Sequence, residues 1–106
     1  MRQHSSRVNK FDPAEFPHLA EFARGYLHQD LIPEYGSVLQ ATQAYLHDLS
    51  ASERKQTASE AFRFRGAVQH WSNQEMNEAI AALGGAWAFI SKDELNEMLQ
   101  TIERGR

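Results

Sequence analysis

Phe16-Pro17-His18-Leu19-Ala20-Glu21-Phe22-Ala23-Arg24-Gly25-Tyr26-Leu27-His28-Gln29-Asp30 is the stretch around which the chain is organised. Its apolar residues fall at Phe16, Leu19, Phe22, Ala23, Tyr26 and Leu27, steps of three and four that place three aromatic rings on one side of a helix. Pro17 suits a first helical turn, where its missing N–H would have had no partner, and the pattern breaks at His28-Gln29-Asp30, ahead of Pro33 and Gly36. The spacing predicts a helix of about three turns. It packs by its aromatic face and delivers three adjacent polar residues to the loop that follows.

The other helices are read from their starts. Ser50 with Glu53, Ser72 with Glu75 and Ser91 with Glu94 each match a capping box, in which the hydroxyl accepts from the third helical N–H and the carboxylate returns to the serine N–H. Ser37 after Gly36 is a further N-cap. A second helix is expected from about Val38 to Asp48, burying Val38, Ala41, Thr42, Tyr45, Leu46 and Leu49. A third runs from about Ala51 to His70 and buries Ala58, Ala61, Phe62 and Val68. Phe64 stands about 200° round from Phe62, so it is either exposed or covered by another helix. The alternation Phe62-Arg63-Phe64-Arg65 also fits a short strand, but that reading stops at Gly66 and finds no partner of the same period. Gly66 leaves a break or kink open. The fourth helix, Asn73 to Leu83, buries Met76, Ala79, Ile80 and Leu83 and stops at Gly84-Gly85. An apolar connector, Ala86 to Ile90, is helical turn or extended, and a last helix from Lys92 to about Arg104 presents Leu95, Met98, Leu99 and Ile102. The expected fold is all-α, a compact single-domain bundle of about five short helices over residues 11–106.

With 106 residues, 42% of them hydrophobic, the chain is long enough for one core and too short for two. There is no cysteine, hence no disulfide framework and no cysteine-based zinc site. The longest apolar run, Gly84 to Ile90, falls far below the roughly 20 residues that span a bilayer, and the N-terminus has no hydrophobic signal core. A soluble protein that stays in the cytoplasm is expected. The net charge of −3 is unevenly spread. Residues 1–10 carry Arg2, Arg7 and Lys10 and no acid, a tail read as disordered, which leaves 8 basic against 14 acidic residues in the body, or −6. Two acidic stretches, 11–48 and 72–103, flank a mildly basic one at 49–71. An acidic body draws cationic partners and repels nucleic acid.

Catalytic chemistry finds little to work with. Histidines stand at 4, 18, 28, 47 and 70, no two closer than ten residues, whereas a helical two-histidine site wants i and i+4. No metal site and no cofactor are expected. The serines sit where helix caps are needed, Asp93-Glu94 belongs to a first turn where the helix dipole favours acids, and Gly84-Gly85 is a terminator rather than a phosphate cradle. Arg63-Phe64-Arg65 near Arg54 and Lys55 is the place to look for nucleic-acid binding, but it is small, and pairs with neighbours such as Glu60 are the ordinary reading. The same surface could meet an acidic patch of a partner protein, with Phe64 as anchor.

Phe22, Tyr26-Leu27-His28-Gln29-Asp30, then Tyr35-Gly36-Ser37 and the Ala-containing helix ending in Tyr45-Leu46 resemble the small immunity proteins of contact-dependent growth inhibition systems. The match covers Phe16 to about Ser50 and, more loosely, Ser72, Glu75, Leu83 and Gly84; beyond Gly85 the chain departs from that family's aromatic-rich, proline-containing stretch. The resemblance implies a cytoplasmic protein that binds and blocks the toxin domain delivered by a sister cell and has no chemistry of its own. The competing readings are a small helical adaptor without a toxin partner and, third, a small hydrolase or nucleic-acid-binding protein. A monomer is favoured.

The candidate partner-binding residues follow from both lines. His28, Gln29 and Asp30 with Glu34 and Tyr35 occupy a loop held by two helices, where they either touch the partner or satisfy the loop itself. Phe64 is the candidate anchor in the basic stretch. The exposed acids Glu75, Glu78, Glu94 and Glu97 of the last two helices form a second candidate patch.

Overall fold

Asp12 opens the folded chain: its side chain accepts the amide of Ala14 at 2.9 Å and starts a 3-10 turn, Pro13–Glu15. The computed structural model describes residues 11–105, so the basic segment 1–10, expected to be disordered, lies outside the described residues. Six α-helices follow: α1 Pro17–Tyr26, α2 Leu31–Tyr35, α3 Val38–His47, α4 Ala51–Val68, α5 Asn73–Ala82 and α6 Lys92–Arg104. No strand occurs among the described residues, and the fold is a single all-α domain.

The serines do what their positions require. Ser37, Ser50, Ser72 and Ser91 are the N-caps of α3, α4, α5 and α6, and the boxes at Ser50–Glu53 and Ser72–Glu75 are closed in both directions. The third box closes only by half. The Ser91 hydroxyl accepts from the Glu94 amide at 3.3 Å, but the Glu94 carboxylate takes the amide of Ile90 at 3.4 Å. The closed boxes have serine φ near −68° and −70°, whereas Ser91 is at −147°, a rotation that swings its N–H away from the carboxylate.

One helix is additional to the five expected. The segment Leu31–Tyr35, read as loop because of Pro33, is α2. Pro33 is its third residue, and amides in a first helical turn have no intrahelical acceptor, so the proline sacrifices no bond there. Gly36 ends the turn at φ 93° and donates its N–H to Ile32.

The expected inward faces of α1, α3, α5 and α6 are largely the observed ones: Leu19, Phe22, Ala23 and Leu27; Ala41, Thr42, Tyr45 and Leu46; Met76, Ala79, Ile80 and Leu83; Leu95, Met98, Leu99 and Ile102 are all buried, while Tyr26 and Leu49, expected on the same faces, are only half-buried. On α4 the expectation holds for Ala61 and Val68 and fails for Phe62. Phe62 is 63% exposed and Ala58 only half-buried, while Phe64 is wholly enclosed, with the rings of Phe11 and Phe16 at 5.6 and 5.5 Å. Val68 lies about 40° round the axis from Phe64 and Phe62 about 160°, so the two phenylalanines cannot share a face. The inward stripe is Thr57, Ala61, Phe64 and Val68, which packs along α6 and against α1. The helix runs through Gly66 without a break, and the strand alternative for 62–65 falls with it.

Past α5, Gly84 at φ 106° turns the chain, and the connector to Ser91 is non-helical. It is held by borrowed partners. The Ala86 amide donates to the Leu27 carbonyl at the end of α1 (2.7 Å). Asn77 accepts from the Phe89 amide at 2.8 Å and donates to its carbonyl at 3.0 Å, one side chain acting as a strand neighbour.

Candidate functional site

The loop after α1 separates the expected polar group into a frame and a surface. His28 closes its own turn: Nε2 lies 3.1 Å from the Gly25 carbonyl and Nδ1 accepts the Asp30 amide at 3.2 Å. The Glu34 carboxylate lies 3.5 Å from the same Nε2. Tyr35 is half-buried, its ring stacked on Tyr26 at 5.3 Å. Gln29, Asp30 and Glu34 remain exposed, and the Asp30 carboxylate makes no capping bond to α2 although Asp30 stands at its N-cap.

Tyr35 is the outer rung of an aromatic ladder that descends to the core. Tyr26 meets Tyr45 edge-on at 5.4 Å, and Phe22 lies 4.9 Å from Tyr45 and 5.7 Å from Tyr26. The Tyr45 hydroxyl donates to the His18 carbonyl at 3.1 Å. Burial pushes the Tyr45 phenol up to about 12, with the carboxylates of Glu21, Glu60 and Glu53 adding to it and Thr57 opposing. Tyr26 is raised as well, by burial first and then by Asp48 and Tyr35.

The basic stretch is spent largely inside the domain. Arg54 donates to the carbonyls of Leu46 and Leu49, closing the end of α3. Arg65 holds Glu103 of α6 by two bonds at 2.6 and 2.8 Å. Arg63 donates to the Glu15 carbonyl and lies over the Phe16 ring at 5.1 Å. Glu60, expected to pair along its own helix, is buried instead and caps α1: it accepts the amides of His18 (2.9 Å) and Leu19 (3.0 Å) and contacts His18 Nδ1 at 2.6 Å. Phe64 is in the core and cannot anchor a partner.

Two of the four acids of the second candidate patch, Glu75 and Glu94, serve helix starts. Glu75 closes its capping box and Glu78 accepts from Gln74, both on α5. Glu94 and Glu97 are brought together on α6, where with Ser37, Val38, Leu39 and Met98 they border a groove of about 110 Å³. Two features escaped the sequence reading. One is the capping of α1 by Glu60, for which the only hint was a helix start at Phe16 with no side chain able to cap it. The other is the set of exposed large apolar side chains, Ile32, Leu39, Phe62 and Ile90.

Among the described residues no group of three or more His, Asp or Glu side chains could hold a metal ion, and no helix is long and apolar enough to cross a membrane. What the geometry defines is an all-α domain with a rigid aromatic interior and isolated apolar side chains on a charged exterior. Comparison of the chain with protein-family models, with curated proteins and with solved structures finds no match in any of the three.

Proposed function

We propose that this chain is an immunity protein: it binds the cognate toxin domain of a contact-dependent growth inhibition system in the cytoplasm and neutralises it by occupancy, without catalysis of its own. The observation that supports the reading is the aromatic ladder Phe22–Tyr45–Tyr26–Tyr35, because it runs through the residues that carry the resemblance and makes them one rigid frame under an exposed loop. A complex of this kind buries on the order of 1,600 Å² in total.

The test is titration calorimetry of the purified chain with the toxin domain encoded beside it, read together with toxin activity. One-to-one binding that abolishes activity is the expected result. A folded, helical sample that leaves the toxin unbound refutes the reading and puts the adaptor in its place.

A further inference from the structure

We draw no further inference here: the strongest candidate, the groove between α3 and α6 that Glu94 and Glu97 border, rests on two acidic side chains beside an apolar floor, and nothing in the structure shows what covers it.

Discussion

Glu60 on α4 and His18 on α1 stand 2.6 Å apart, carboxylate to Nδ1, and the same carboxylate takes two of the first free amides of α1. Phe16 makes no side-chain cap and Pro17 has no N–H, so the start of α1 is satisfied from a different helix.

Removing that carboxylate should loosen the whole N-terminal helix. Charge-assisted hydrogen bonds contribute about 1.5–3 kcal/mol each, and one buried and one part-buried amide lose their acceptor, so Glu60→Ala is expected to cost about 3 kcal/mol in denaturant unfolding. His18→Ala leaves both amide bonds in place and should cost about 1 kcal/mol. Equal losses in the two variants would show that the side-chain pair, not the capping, is what matters.

Phe62 and Phe64 should respond to the same substitution in opposite ways. Phe64→Ala empties a fully buried site and is expected to cost about 3–5 kcal/mol. Phe62→Ala removes an exposed ring and should stay within about 0.5 kcal/mol. Urea midpoints of the two variants, measured side by side, check the pair.

Two glycines are expected to differ in sign. Gly36 sits at φ 93° and an added Cβ would meet the Gln40 side chain, so Gly36→Ala should lose about 1–2 kcal/mol. Gly25 lies in α1 with nothing within 4 Å of an added Cβ, so Gly25→Ala should gain about 0.5 kcal/mol. Thermal unfolding of the two variants would resolve this.

Alkaline pH should unfold the domain through Tyr45. Its phenol is held at about 12 in the folded chain against an ordinary 10.0, so above pH 10 the unfolded chain gives up a proton that the folded chain keeps. The native form then binds more protons than the unfolded one, and stability falls as pH rises from about 10 to about 12. Unfolding midpoints taken across that range should slope downward, and Tyr45→Phe should flatten the slope. An unchanged slope would place the alkaline sensitivity elsewhere.

The helices were readable in the sequence because their starts carry local chemistry. Ser37, Ser50, Ser72 and Ser91 act on amides three residues away, and the apolar spacing of α1 and α6 is set within a few turns. What was not readable is what depends on a distant neighbour. The face of α4 was assigned to Phe62 on spacing with Ala58 and Ala61, but the choice between two phenylalanines about 160° apart is made by Phe11 and Phe16, which close over Phe64. Helix α2 was missed because Pro33 reads as a breaker unless the helix is known to begin at Leu31. Of the candidate contact residues, His28 and Tyr35 turn out to be tied into the loop they shape, Phe64 is in the core, and Glu75 and Glu94 serve helix starts. Side chains needed twice, once for local bonding and once for a partner, look the same in a sequence.

The capping of α1 from 42 residues away also sets a limit on modularity. The stretch 16–50 contains the aromatic ladder and the loop beneath which it sits, and would look like a self-contained recognition unit to anyone wishing to graft it. Yet its first helix begins with amides that only Glu60 answers, and α3 ends on carbonyls that Arg54 closes from α4. Cut away from α4, the unit would start and stop on unsatisfied backbone, so it has to be moved, swapped or evolved together with the helix that follows it.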